Sequence, residues 1–229
     1  VLVESNGHTG ALSGLRLGAM KNFRKMAKLF LEVTFPRRYR PLMRMITDKF
    51  RPIIVLVALV WAVEAVNIFL GHGLASWGIL PRSLGGLVGI PLAPLLHGGF
   101  WHTVSNTLPL LFLGGLVLAG GRRMFWETTV SITLLSGLLV WLFARDAYHV
   151  GASGLVFGYF GAILARAVIQ RSLASMAIGI ITVMAYGGLI WGILPLRSYV
   201  SFESHLFGLI AGIFVVWLEV KLGRSKPTG

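Results

Sequence analysis

The sequence predicts an all-α membrane protein with six transmembrane helices and a long membrane-associated loop between the first two. Three observations carry this. Of the 229 residues, 55% are hydrophobic and only 13% are charged, with a mean hydropathy of +0.78, whereas a soluble domain carries about 25% charged residues. The apolar residues come in long unbroken runs, as expected where the solvent is hydrocarbon. More than half of the 21 Lys and Arg residues lie at or before Arg51, ahead of the first run, and the rest sit mostly at the ends of runs, where cations anchor and orient membrane spans. That distribution argues against nucleic-acid binding, for which the net charge of +13 is the only indication.

Residues 1–50 form a basic arm expected to be cytoplasmic. Residues 1–19, which start on Val, read as a start-site artefact ahead of Met20, and no early apolar core marks a signal peptide. Within 20–50, Phe23, Ala27, Phe30 and Leu31 stand at near-helical spacing. Both an amphipathic surface helix and a partly ordered cytosolic tail fit that stretch. The six-helix domain occupies 51–222, and 223–229 is a short basic tail.

The spans are placed near 52–71, 102–120, 125–144, 152–170, 173–194 and 204–221, each close to the length a bilayer demands. The connection 72–101 carries Pro and Gly among Leu, Trp and Phe, which suits a segment resting on the membrane or dipping into it. Basic residues set the orientation. With the arm cytoplasmic, that side also receives Arg122, Arg123, Arg166, Arg171, Lys221, Arg224 and Lys226, and the opposite side only Arg82, Arg145 and Arg197. Both termini are expected on the cytoplasmic side, and the expected membrane is the bacterial plasma membrane. No internal repeat supports a transporter built from inverted halves.

That topology brings four polar side chains to one depth. Ser153 and His205 fall in the first turns of the fourth and sixth spans, His102 and Asn106 in the first turns of the second, and all three spans start from the same side. Polar residues in membranes are costly and usually face a bundle interior or a watery cavity. Ser153 lies in the small-residue run Gly151-Ala152-Ser153-Gly154. Such a run permits close helix packing, and a helix start also offers free amide donors to a developing oxyanion. His205 is followed by Gly208 and Gly212, a smooth face on which another helix can lie close. If that helix is the fourth span, an imidazole comes within reach of a serine hydroxyl, which needs such a base to become a nucleophile. Phe157, four residues after Ser153, is placed to stack on the imidazole and is otherwise ordinary core. Asn106, through its amide, and His102, through a ring N–H, are candidate oxyanion donors. His97 is expected to tie the preceding loop to the bundle. Glu64 and Asn67 are expected to point inward from the first span. Glu203 is expected to orient a loop or cap the sixth helix.

Other chemistries find little support. Cysteine is absent, no His-Glu-x-x-His run occurs, and the two aspartates, Asp48 and Asp146, both lie outside the spans. The spacing of His97, His102 and His205 matches no standard metal-ligand pattern.

These segments resemble the rhomboid family of intramembrane serine proteases. Gly151 to Gly154 with Phe157 and Gly158 is similar to its nucleophile segment, Glu203 to Gly208 with Gly212 to its base segment, and His97 to Asn106 to the segment supplying oxyanion contacts. The resemblance covers about 52–221. It implies a six-helix rhomboid-like bundle with a Ser153–His205 dyad, oxyanion contacts from His102 and Asn106, and site support from His97, Gly151, Gly154, Phe157 and Gly208. It further implies cleavage of single-pass membrane proteins near the outer membrane boundary, without metal or other cofactor and without nucleic acid. The fifth span would move to admit substrate, and Gly187 and Gly188 would soften it. Two departures concern scaffold support: many relatives have a Trp-Arg pair in the long first loop, where only Pro81-Arg82 stands nearby, and many have a glutamate late in the second span, where this sequence reads Gly114-Gly115-Leu116-Val117-Leu118. The alternative is a catalytically silent relative that binds membrane clients. Oligomeric state is not legible.

Overall fold

The computed structural model describes residues 25–26, 36–195 and 200–223. The chain divides into two compact units, 1–51 and 52–229. Phe23, Ala27, Phe30 and Leu31 of the expected surface helix, Arg197, and the tail cations Arg224 and Lys226 lie outside the described residues.

Among the described residues, six helices are long and apolar enough to cross a membrane, the fifth counted together with the 3₁₀ turn that follows it, Leu173–Ile193. They are α1 (Arg40–Phe69), α2 (Phe100–Ala119), α3 (Arg122–Phe143), α4 (Ser153–Gln170), α5 (Leu173–Tyr186) and α6 (Phe202–Lys221). Two boundaries differ from the hydropathy reading. Helix α1 begins well before residue 52, because hydropathy marks contact with hydrocarbon, and Arg, Lys and Met propagate a helix as readily as Leu does. The fifth span is α-helical only to Tyr186 and continues as a 3₁₀-helix over Gly187–Ile193. The change of winding falls at the glycine pair expected to soften that helix.

Helix α4 is the centre of the bundle and α5 its periphery: 61% of the apolar window of α4 is buried inside the protein, against 11% for α5. The central position of α4 rests on bare backbone. A Cβ at Gly208 of α6 would collide with the carbonyl oxygen of Gly154, and one at Gly212 with that of Gly158. At Gly161 of α4 it would lie 2.5 Å from the Leu209 carbonyl oxygen. The two main chains therefore touch over more than two turns, with no room for a methyl group. At Gly114 of α2 a Cβ would meet Ile53 at 2.5 Å and Tyr159 at 3.1 Å. Packing leaves no room for a side chain at that position. Far from the starts of α4 and α6, Arg166 pairs with Glu219 at 2.9 Å, and Thr128 joins both. Arg166 is therefore buried, not one of the free boundary cations counted in orienting the chain.

The connection from α1 to α2 folds as short turns, including an apolar helical stretch over Gly85–Leu95. It presents Trp77, Leu84 and Val88 outward, as a membrane-associated loop should. Inward, it is fastened to the α3–α4 connection. Ile79 and His149 form an antiparallel bridge, with bonds of 3.0 and 2.9 Å. Arg82 donates to the Ala144 carbonyl at 2.7 Å, the indole of Trp141 to the Ser83 carbonyl at 2.8 Å, and Gly151 N–H to the Ala93 carbonyl at 2.9 Å. Arg82 thus anchors this loop without a tryptophan preceding it in the sequence, and its backbone N–H donates to the Trp141 carbonyl at 2.9 Å. At the loop's end the fully buried Asn67 donates to the His97 carbonyl at 2.9 Å. The His97 ring in turn accepts Ala152 N–H through Nε2 at 3.3 Å. Glu64, also fully buried, accepts from Asn67 at 3.3 Å.

Substituting Gly212→Ala should force α4 and α6 apart and cost about 1–3 kcal/mol, read as a lower thermal midpoint in detergent. Gly85→Ala, whose Cβ would meet only Ser83 Oγ at 3.8 Å, should leave it unchanged; equal midpoints in the two variants would refute the backbone contact. Acid should also loosen the fold. Burial first, and the neighbouring His102 ring second, push the His97 imidazole down to about 4. His149 is lowered as well, chiefly by burial. Unfolded, both titrate near 6.5. Above that pH neither state binds the proton. As pH falls from 6.5 towards 4, the unfolded chain gains protons that the folded one refuses, and stability drains away. His97 alone should cost about 2 kcal/mol at pH 5. Thermal midpoints at pH 7.5 and pH 5 test this: His97→Gln should flatten part of the slope, and no slope in the unmodified protein would contradict a neutral, accepting His97.

Candidate active site

Ser153 opens α4 and is buried. The residue two before it, Gly151, has φ +120°, a conformation that side-chain-bearing residues rarely adopt. It also has a neighbour that excludes any side chain: a Cβ there would lie 2.8 Å from Cε1 and 2.9 Å from Nε2 of His102, and 3.7 Å from Ser153 Oγ. The glycine thus lets the His102 ring edge approach the start of α4 where the serine hydroxyl stands. At the next glycine, Gly154, a Cβ would lie 3.3 Å from the Ser204 carbonyl oxygen, so the Ser153 end of α4 abuts the His205 end of α6.

The His205 ring is held on two sides. Phe157 stacks on it nearly parallel, with centroids 4.2 Å apart and planes 6° from parallel. Phe157 is one turn after Ser153, so the serine and the stacking ring share the α4 face that looks onto α6. In the ring plane, His205 Nδ1 lies 2.7 Å from the Gly192 carbonyl oxygen, in the 3₁₀ turn beyond α5.

From α2, His102 presents its Nε2 edge to this site and receives Gly98 N–H on Nδ1 in a long contact of 3.4 Å. An Nδ1 that accepts leaves the ring hydrogen on Nε2. Asn106 is buried one turn later, and its Nδ2 donates to the His102 carbonyl at 3.0 Å, which leaves a second amide hydrogen uncommitted. His97 packs edge-on against His102, with centroids 5.0 Å apart. Its contact to Ala152 N–H fixes the residue just before Ser153. Among the described residues, no three His, Cys, Asp or Glu side chains are grouped as metal ligands.

Around the mouth of the site runs a polar network that the sequence had not assembled. Glu203 is buried and accepts from Arg145, through Nε at 3.3 Å and the backbone N–H at 3.4 Å. Arg145 also donates to the Val200 carbonyl at 2.6 Å. His149 Nε2 donates to the Arg145 carbonyl at 3.0 Å, so its Nδ1 accepts from the hydroxyl of Ser201, 2.6 Å away. Ser201 caps α6 by accepting Ser204 N–H at 3.2 Å. The α3–α4 connection and the first turn of α6 are thereby one hydrogen-bonded unit. Glu203 does orient a loop, through Arg145. The only advance signal for His149 was a histidine just outside a span; Gly192, an ordinary glycine in an apolar run, gave none.

Comparison with known proteins shows the family. A family model described as Rhomboid domain matches residues 84–222. An uncharacterized protein of Mycobacterium tuberculosis (strain H37Rv), Rv1337, is 37% identical over 176 residues, 72% of this chain and 73% of its own length. ML1171 of Mycobacterium leprae, likewise named as uncharacterized, is 34% identical over 191 residues, 77% of this chain and 75% of its own. YdcA of Bacillus subtilis, which carries rhomboid in its name, is 30% identical over 131 residues, 56% of this chain and 64% of its own. The matched region takes in every site residue from His97 to His205 and Gly208, on an integral, multi-pass helical bundle, and the chain belongs to the rhomboid family.

Proposed function

We propose that this protein is an intramembrane serine endopeptidase, with Ser153 as nucleophile and His205 as base. The observation that supports it most is the meeting of three helix starts: the Ser153 end of α4 lies against the His205 end of α6 and receives the His102 edge from α2. In this mechanism His205 takes the hydroxyl hydrogen as Ser153 Oγ adds to a peptide carbonyl. The oxygen that gains the negative charge is met by His102 Nε2–H, a free Asn106 amide hydrogen and the unpaired N–H groups at the start of α4. The imidazolium then protonates the departing amine. A water deprotonated by the same ring hydrolyses the acyl-enzyme and restores Ser153. His97, Gly151, Gly154, Phe157 and Gly208 support the site by position and by the close approach they permit.

The substrates are single-pass transmembrane proteins, cut near the outer boundary of the membrane. Helical carbonyls are engaged in hydrogen bonds, so a cleavable segment must unwind locally. Helix-weakening residues near the cut and small side chains beside it favour that. The orientation proposed is cytoplasmic termini in a bacterial plasma membrane, from the asymmetry of Arg122, Arg123 and Arg171 against Arg82 and Arg145.

With protein purified in detergent, a fluorophosphonate probe should label Ser153. Labelling should vanish in Ser153→Ala and fall steeply in His205→Ala, and Asn106→Ala should slow turnover by about 10- to 1,000-fold. A transmembrane substrate with Leu in place of its helix-weakening residues should be cut more slowly. Labelling that survives Ser153→Ala would move the nucleophile elsewhere, and an unlabelled, folded protein would favour a silent client-binding relative. Because the chain has no cysteine, single thiols report topology cleanly. In intact cells a membrane-impermeant maleimide should modify Asp146→Cys and spare Arg122→Cys; the reverse pattern would invert the orientation.

A further inference from the structure

The base is oriented by a helix other than its own. A carbonyl oxygen can only accept a hydrogen bond, so the 2.7 Å contact between Gly192 O and His205 Nδ1 requires the hydrogen to sit on Nδ1. In the neutral ring the lone pair then lies on Nε2, the nitrogen that must be free if His205 is to take a proton from Ser153. In a Ser-His-Asp triad a carboxylate performs this service, fixing tautomer and ring orientation. Here Glu203, on α6 itself, is engaged by Arg145. We infer that Gly192 is a positioning residue whose main-chain carbonyl selects the Nδ1–H tautomer of His205, so that the 3₁₀ turn after α5 determines whether the base is competent. This rests on the protease reading above.

Two independent features fit the role. Position 192 excludes a side chain: a Cβ there would lie 2.8 Å from Cζ of Phe157 and 3.0 Å from His205 Nδ1, pressing at once on the ring that stacks on the base and on the atom that donates. The carbonyl is also carried on the most loosely packed span, with Ile190 and Trp191 beside it exposed. Displacing this turn would take the acceptor away and release the ring to the other tautomer, in which Nε2 carries the hydrogen and cannot receive one. The same element that lies at the edge of the bundle therefore holds the base in its working form.

The tautomer can be read directly by nitrogen NMR on the full chain in detergent with ¹⁵N-labelled histidine, the His205 signals being identified by their loss in His205→Gln. The expected pattern is a protonated, pyrrole-type Nδ1 and a pyridine-type Nε2; the opposite pattern would overturn the inference. Gly192→Ala should mix the two tautomers and slow fluorophosphonate labelling by about tenfold or more. Ile190→Ala, on the same 3₁₀ stretch but with an exposed side chain, should label at the unmodified rate. The small probe matters, because a turn that only admitted substrate would affect cleavage of a transmembrane helix and leave probe labelling untouched. Unmodified labelling in a folded Gly192→Ala protein would defeat the inference while leaving the protease reading intact. Loss of Ser153-dependent labelling in the unsubstituted protein would defeat the protease reading instead. Should Gly192→Ala fail to fold, the spectrum of the unsubstituted protein decides alone.

Discussion

The main chain of α4 lies directly on the main chain of α6, and the placement of the site depends on that contact. In a bilayer no hydrophobic force draws helices together, since lipid tails are as apolar as leucine. Association must come from close van der Waals packing, and glycine brings two backbones nearest. Gly208 and Gly212 of α6 lie against the backbone of Gly154 and Gly158 on α4, and Gly161 of α4 against the backbone of Leu209. Such an interface has little freedom to slide or rotate, because any shift drives carbonyl oxygens into main chain. The starts of the two helices inherit that rigidity, and with it the relation between Ser153 and His205.

Around this contact the polar groups are disposed so as to bury little net charge. His205 is bonded to one backbone carbonyl and His102 to one backbone N–H. The neutral rings that result carry opposite properties at Nε2, a lone pair on His205 and a hydrogen on His102. Main-chain groups can set both tautomers without an ionised partner, which matters where an unpaired charge costs several kcal/mol. The acidic residues nearest the ends of α6 are each matched instead with an arginine: Glu203 with Arg145 near the site, Glu219 with Arg166 at the far end. Breaking either pair would strand a partly buried charge, so both pin the bundle ends more than they add to its stability.

What the sequence made legible follows from the kinds of contact involved. Side chains that act through their own identity left traces: the apolar runs, the glycines four apart on α6, the Ser153 and Phe157 spacing, and His102 with Asn106 on one face of α2. Contacts made by the backbone left almost none. Any residue supplies a carbonyl, so nothing in Gly192 announced that its oxygen would meet His205. The 3₁₀ winding that delivers it is a tertiary outcome rather than a local preference. Pairings between distant charges were equally silent, because Arg166 read as a boundary cation until Glu219 was found beside it. His149 stood just outside a span with no periodic partner, and only the folded loop reveals its bridge to Ile79 and its bond to Ser201.

Packing is uneven across the bundle, and the unevenness has a chemical meaning. The helix that Ser153 opens is the best buried of the six spans, and the span bearing the Gly192 carbonyl is the least. Beyond the 3₁₀ turn and its bond to His205, α5 packs on α4, where a Cβ at Gly179 would lie 2.6 Å from Ala167, and touches α2 through Phe112 and Tyr186, whose rings are 5.2 Å apart. A scaffold that held every span as tightly as α4 would keep the base aligned but would leave no route for a second transmembrane helix to reach Ser153. One that held α4 as loosely as α5 would lose the fixed geometry that the proposed oxyanion donors require, since such donors must be in place before charge develops. With Ser153, His205 and the proposed donors on the better-buried helices and a single carbonyl on the sparsely buried edge, the proposed mechanism would put only one hydrogen bond of the site at risk if α5 yielded.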